Sequence, residues 1–545
     1  MFNFLDGLIQ CSRCFFAGLD ALARHRLVSI VVVGCLSFGG SWLLSVVRGI
    51  PVPYIHDEFS YLLAGDTFAH GRITNPTHPM WEYFETFHVL QQPSYMSKFP
   101  PGQGIFLAVG QVVFGHAIYG VWLSAGLMCA AICWMLYAWI PPRWALIGGL
   151  VAVLQFGIFT YWSQSYWGGA VAGMGGALMF GALPRIFKNQ RVRDAVWLGL
   201  GWAVLANTRP FEGFFVAIPV GCLVLPWKIR WRELDAVKFI KRIILPLGTI
   251  LFMTLLGMGA YNKQITGDSK VLPYFLYDHT CRDVPLLIWQ PYVAREEVDP
   301  KVMEYLERDH AKEYYMDKRT WKGFVGDLRK DTSRTSMFFF GYPLAVPSLA
   351  VLLLLFLYRR TAARFWMALL FFLAAFAVMT WNAKPHYYSP LTSLVVLLVM
   401  VGLRGLACLK LRSARVGLIS VILLIVIQLA LYVMPPILVP DRSLARGIKN
   451  SSIDLPGSFT REELKNILVK RGGKYLVVVK YPLSHNYFWE WVYNDADIDH
   501  TPIVWARDMG DGNNKRLLEY FKNRQVLFIT VYRDKLGFVP FDARQ

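Results

Sequence analysis

Apolar stretches recur through the chain as far as residue 436, many close to the about 20 residues a helix needs to cross a bilayer core. A chain of 545 residues without them would read as several soluble domains. Here 55% of residues are hydrophobic, only 17% are charged, and mean hydropathy is +0.37. A soluble multidomain enzyme, a disordered chain, a coiled coil and a collagen are all excluded. The spacing predicts an all-α polytopic membrane protein with about eleven transmembrane helices. They fall at 27–47, 117–139, 144–161, 166–183, 194–207, 211–227, 243–262, 337–358, 364–381, 386–404 and 415–436.

The chain carries 56 Lys and Arg against 37 Asp and Glu, a formal charge of +19. In a soluble protein that excess would suggest nucleic acid. Here the basic residues collect in alternate loops, among them Arg185, Lys188, Arg191 and Arg193, then Lys228, Arg230, Arg232, Lys238, Lys241 and Arg242. The short connections at 162–165 and 208–210 hold one, Arg209. That asymmetry places the basic loops and the N-terminus in the cytoplasm and accounts for much of the excess. Nucleic acid is not a needed partner; membrane lipids are.

Two long loops, 48–116 and 263–336, then face outward, and an odd span count puts the tail, 437–545, on the same side. Residues 103–115 are too short to span alone and read as an interfacial or re-entrant helix. Residues 1–26, with Arg13, Arg24 and Arg26 among Phe and Leu, read as an amphipathic interfacial segment before a retained first span. The domains are thus 1–26, a transmembrane domain at 27–436, and 437–545. In the tail, 474–481, 501–508 and 524–533 read as buried strands, and 460–471 and 513–523 as helices. These predict a small C-terminal α/β soluble domain.

Candidate chemistry concentrates in the first outward loop. Asp57 and Glu58 follow the first span by about ten residues, at the height where a helix would begin. Two acids in a first turn also complement the helix dipole with no other role. Further on, Ser97-Lys98-Phe99-Pro100-Pro101-Gly102 sets a lysine beside two prolines that hold an extended backbone. Alone, Lys98 reads equally well as an interfacial lysine whose head reaches for water. A third segment, Ala383-Lys384-Pro385-His386-Tyr387-Tyr388-Ser389-Pro390, opens the tenth span from outside.

The order of these elements resembles that of the GT-C membrane glycosyltransferases. The nearest relatives in pattern are the dolichyl-phosphate-mannose protein mannosyltransferases and the bacterial aminoarabinose transferases acting on lipid A. The resemblance covers roughly residues 27–436. It implies a GT-C-like helical fold in which Asp57 is the catalytic acid/base, with Glu58 beside it. Lys98 contacts the donor phosphate, and Lys384, His386 and Tyr387 line the cavity. It implies a polyprenyl-phosphate-linked sugar as donor and a lipid, glycan or protein as acceptor. The implied setting is a bacterial inner membrane with the tail in the periplasm. Relatives often carry another acid at the outer end of the third span, where this chain reads YWSQSYWGG at 161–169.

The chemistry suits an outward-facing enzyme. Nucleotide sugars do not cross a bilayer, so the donor must be carried by a lipid. Transfer needs a base for the acceptor hydroxyl and cations for the departing phosphate; Lys98 and Arg209 can supply the latter. No metal site is assigned: His56, His70, His78, His88, His279 and His386 match no ligand spacing, although a divalent metal stays open. The alternative is a transporter or flippase of a lipid-linked envelope substrate. It would place charges in mid-span, whereas most charges here lie in loops or at span ends.

Overall fold

The computed structural model describes residues 18–220, 235–281, 284–292, 311–358, 384–408, 416–432, 461–482, 490–531 and 536–539. Among them, five helices are long and apolar enough to cross a membrane: Arg26–Arg48, Ile118–Leu136, Ala170–Asn189, Ala236–Thr266 and Pro385–Ala407. By that length and hydropathy the chain is an integral membrane protein. The remaining expected spans have other forms. Those at 144–161 and 194–207 are the shorter helices Pro142–Ala152, continued by the π-turn Val153–Gly157, and Val192–Ala206. The 211–227 span starts in Pro210–Pro219 and leaves the described residues after 220. The 364–381 span lies outside them, as do residues 1–17 of the N-terminal segment. The 337–358 span belongs to Trp321–Tyr358, which breaks at Gly341, where φ is 58°. Glycine takes that conformation freely, and Pro343, which lacks an N–H, stands two residues on. The expected span at 415–436 coincides with the helix Val416–Tyr432, which is shorter than the five.

The membrane body is built round Ile118–Leu136 and Ala170–Asn189, each 72% buried over its apolar window. Arg26–Arg48 packs along the first of these, and Val192–Ala206 along the second. Small residues allow the approach. A Cβ on Gly120 would run into the Phe106 carbonyl, and one on Gly176 into that of Pro390. The second contact seats the 3-10 turn Pro385–Leu391, which carries His386 and Tyr387, against Ala170–Asn189.

In the loop after the first span, the helix His56–Ala69 lies against Pro101–Phe114, with Gly65 facing Leu107 and Gly104 facing Ala64. The segment read as interfacial is therefore a helix packed between the Asp57 helix and Ile118–Leu136. Between the two helices of the loop lies a small antiparallel sheet of β1 (Asn75–Pro76), β2 (Val89–Leu90) and β3 (Ser94–Ser97), in the order β1-β3-β2.

The tail folds as β4 (Tyr475–Lys480), β5 (Ile503–Arg507), β6 (Gln525–Val531) and β7 (Leu536–Val539), in the order β5-β4-β6-β7. The first three strands are parallel and β7 pairs antiparallel with β6. Helices Arg461–Arg471 and Asp511–Tyr520 accompany the sheet. Residues 475–479 of β4 are all buried, as expected of a central parallel strand covered on both faces. One apolar cluster joins Leu476, Val478, Val504 and Phe528 of the tail to Phe59, Tyr83, Phe84 and Tyr95 of the first loop. The tail therefore rests on the loop that carries Asp57.

Gly176→Ala should force the Pro385–Leu391 turn away from Ala170–Asn189 and cost about 1–3 kcal/mol, as overpacking does. The measurement is thermal unfolding of the purified protein in detergent, where the midpoint should fall.

Candidate functional site

The Asp57 helix begins at a fixed point. Ile55 is its N-cap, and the Glu58 side chain reaches back over the first turn. One Glu58 oxygen accepts the backbone N–H groups of Tyr54 at 2.9 Å and Ile55 at 3.1 Å. The other accepts the N–H of Tyr166 at 3.0 Å. Tyr166 lies in the 161–169 segment, and its hydroxyl donates to the Pro51 carbonyl at 2.9 Å. Both oxygens of this buried carboxylate are thus occupied in joining the first loop to the end of the third span. Burial pushes the Glu58 carboxyl up to about 7; the three amides work against that, and the Asp57 charge adds to it.

Asp57 has a different environment. His56 Nδ1 stands 3.1 Å from Asp57 Oδ2, and His88 Nε2 stands 3.8 Å from the same oxygen. The two imidazoles meet edge to face, with centroids 4.4 Å apart. His88 has a φ of 64°, in the left-handed region that costs a residue with a Cβ about 1–3 kcal/mol. Its neighbours hold it there. The His88 N–H donates to the Tyr277 hydroxyl at 2.9 Å, and its carbonyl accepts from the Ser60 hydroxyl at 2.6 Å and the Lys98 N–H at 3.1 Å. Burial opposes ionisation of Asp57. The His56 hydrogen bond and the charges of His56, Lys98 and Arg209 outweigh it, so the carboxyl lies below its ordinary value.

His56, Asp57 and His88 offer three ligand atoms that all lie within 4.8 Å of one another. Two imidazoles and a carboxylate form a donor set that suits a divalent ion such as zinc. These are the residues that could hold a metal. Neither imidazole's approach to Asp57 is legible from spacing, because His88 comes 31 positions later and arrives through its left-handed backbone.

The cations surround this cluster. Lys98 is buried, with its Nζ over the rings of Tyr277 at 4.3 Å, Tyr274 at 4.8 Å and Phe99 at 5.5 Å, and 4.0 Å from Asp278 Oδ1. The aromatic faces offset part of the cost of burying an ammonium. Lys98 also borders a small cleft lined by Asn207, Met258, Tyr261, Asn262 and Tyr274. Arg209 donates to Glu212 at 3.3 Å and lies 5.0 Å over the Tyr387 ring. His386 Nδ1 is 3.0 Å from the Tyr161 hydroxyl, which also accepts the His386 N–H at 3.1 Å, and its ring packs on Trp167. Burial and the Arg334 charge bring Lys384 down to about 8, while Asp331 and Asp57 work the other way. The candidate residues from three distant segments are thus close enough for the charges of Lys98, Arg209 and Lys384 to couple to Asp57.

A carboxyl whose pKa is raised by folding is favoured in its neutral form. Between the unfolded value of 4.5 and about 7, the folded chain holds a Glu58 proton that the unfolded chain has lost. Stability should therefore fall as pH rises through that interval, by up to about 1.4 kcal/mol per unit. Glu58→Gln should remove that slope from the thermal midpoint. It should also lower stability by about 1–3 kcal/mol, because an amide nitrogen cannot accept the backbone N–H groups it replaces an oxygen for.

No protein-family model and no curated protein matches the chain. Among solved structures, it is similar to the oligosaccharyltransferase of Archaeoglobus fulgidus in complex with zinc and sulfate. The TM-score is 0.48 and the identity 11%, over 92% of this chain and 67% of that one. For the apo form of that enzyme the TM-score is 0.45 and the identity 13%, over 86% and 63%. For AglB of the same organism, in complex with an inhibitory peptide and a dolichol-phosphate, the values are 0.45 and 11%, over 93% and 69%. The chain thus spans about two thirds of the length of the protein it resembles.

Proposed function

We propose that this chain is a membrane glycosyltransferase of the GT-C type. It moves a sugar from a polyprenyl-phosphate-linked donor to an acceptor hydroxyl or amide on the face that carries Asp57. In a bacterial cell that face is the periplasmic side of the inner membrane. The observation that carries the reading is one carboxylate, Asp57, held beside His56 and His88 and kept below its ordinary pKa by His56 and by the charges of Lys98 and Arg209. A cleft bordered by Lys98 lies alongside.

In this reading the acceptor gives its proton to Asp57 and attacks the anomeric carbon. The bond from that carbon to the phosphate oxygen breaks, and polyprenyl phosphate leaves. Lys98 and Arg209 stabilise the charge that develops on the phosphate. Lys384, His386 and Tyr387 line the sugar-binding wall, and His56 orients the carboxylate. Glu58, with both oxygens taken by backbone amides, holds the site in place and takes no proton from the acceptor. A depressed pKa makes a weak base, and the donor corrects this. Its phosphate neutralises the cations that lower the Asp57 value, so basicity rises when donor is bound.

The test is incubation of purified protein with polyprenyl-phosphate sugars and candidate acceptors, read by mass spectrometry. Wild type should form product, and Asp57→Asn should lose about 10²–10⁴-fold in kcat with donor binding retained. Movement of donor across liposomes without product would overturn the reading in favour of a transporter. The pH profile adds a second check. The acid limb of kcat, which reports the donor-bound enzyme, should lie at higher pH than that of kcat/KM, which reports the free enzyme.

A further inference from the structure

The Asp57 helix is gripped from two sides. One side faces the membrane body, where Ala64 and Gly65 meet Gly104 and Leu107. The other side consists of Phe59, Leu63 and Asp66, which recur at the i, i+4, i+7 spacing of one helix face, and it meets the tail. Phe59, two residues beyond Asp57, stacks on Tyr493 with centroids 4.3 Å apart and planes 8° from parallel. Asp66 Oδ2 accepts the Ala496 N–H at 2.8 Å, while its Oδ1 accepts from Gln111 at 2.8 Å.

The tail segment that makes these contacts is itself held rigid. Arg461 donates through Nε to the Trp491 carbonyl at 2.9 Å and through Nη2 to that of Tyr493 at 2.8 Å. Its guanidinium lies 5.0 Å over Phe59 and 4.5 Å over Trp505. The Asn494 side chain bonds to both the N–H and the carbonyl of Trp505 in β5, and the Asn494 carbonyl accepts from the Tyr95 hydroxyl at 2.8 Å. Residues 491–496 therefore tie the sheet of the tail to the first loop along the length of the helix, from Phe59 beside Asp57 to Asp66 near its other end. A domain that merely rested on the loop would need no such order beside the reactive carboxylate.

We propose that the tail is a working part of the transfer site: residues 491–496 clamp the Asp57 helix, and Tyr493, stacked on Phe59, is a positioning residue that sets the carboxylate against the acceptor. This rests on the transferase reading for its chemistry but not for the clamp. Tyr493 also lies within reach of the Asp57 charge. Because reacting groups must meet within fractions of an ångström, a small shift of the helix is expensive in rate.

The test uses the full chain in lipid nanodiscs, with Tyr493→Leu and Tyr493→Phe. Amide hydrogen exchange is followed over residues 56–69, and kcat and donor KM are measured on the same preparations. Leucine abolishes the stack, so exchange in the helix should quicken about tenfold or more. In the same variant kcat should fall about 100-fold, with donor KM unchanged. Phenylalanine keeps the stack and should restore slow exchange and most of kcat. Unchanged exchange in Tyr493→Leu, or equal loss of kcat in both variants, overturns the proposal. Should Tyr493→Leu fail to fold, Phe59→Leu removes the same stack from the helix side, and the same exchange readout decides. The two readings fail separately. A wild type that makes no product but shows the Tyr493-dependent exchange contradicts the transferase and leaves the clamp standing. One that makes product with exchange indifferent to Tyr493 contradicts the clamp alone.

Discussion

Three backbone amides, from Tyr54, Ile55 and Tyr166, converge on the carboxylate of Glu58, and the rest of the site is arranged around that knot. Two of them belong to the turn before the Asp57 helix. The third comes from the segment after the third span, more than a hundred residues away in sequence. A buried carboxylate left without donors would be costly, so these bonds are close to obligatory once the group is inside. Together they fix where the helix starts, and hence the height of Asp57 above the membrane body. Adjacent acids in one sequence thus have separate physical lives. Glu58 is enclosed by amides, whereas Asp57 keeps an oxygen beside two imidazoles.

Charge explains why the neighbourhood is so crowded with cations and rings. Lys98 is buried, and it is tolerable there because Tyr274, Tyr277 and Asp278 face its ammonium. Those three residues come from the loop at 263–336, so Lys98 also joins the two long loops. Against the burial of Asp57, the His56 hydrogen bond and charge, joined by the charges of Lys98 and Arg209, hold its carboxyl below the ordinary value. An anionic headgroup entering the Lys98 cleft would meet the Lys98 charge, which is how binding of the donor and readiness of the base become linked in the proposed mechanism.

Much of the frame was legible in the sequence, and the reasons are local. Span lengths such as 27–47 and 117–139 follow from runs of apolar residues, and the corresponding helices end within a few residues of those limits. The tail strands show themselves as unbroken runs such as Tyr475–Val479, because parallel strands are covered on both faces. Lys98 and Asp57 stood out because a double proline and an acid pair are rare punctuation in a loop. What could not be read depends on distance in sequence. Spacing cannot tell which of two adjacent acids will be wrapped by amides when one of those amides is that of Tyr166. His88 reaches Asp57 only through a left-handed backbone, and β1, β2 and β3 are too short to leave a pattern. The stack of Phe59 on Tyr493 joins positions more than 400 residues apart, with ordinary aromatic residues at each. Gly341 hid a break inside what reads as a continuous apolar span.

The account assigns proton abstraction to a single carboxylate and a single displacement at the anomeric carbon. Glu58 is fully engaged by amides, and the 161–169 segment contains no acid to serve as nucleophile. Nuclear magnetic resonance of the anomeric proton in donor and product tests this directly, since one displacement inverts the centre and two restore it. The account predicts a product whose anomeric configuration is opposite to that of the donor. A product with retained configuration would contradict the single displacement from the face opposite the leaving phosphate.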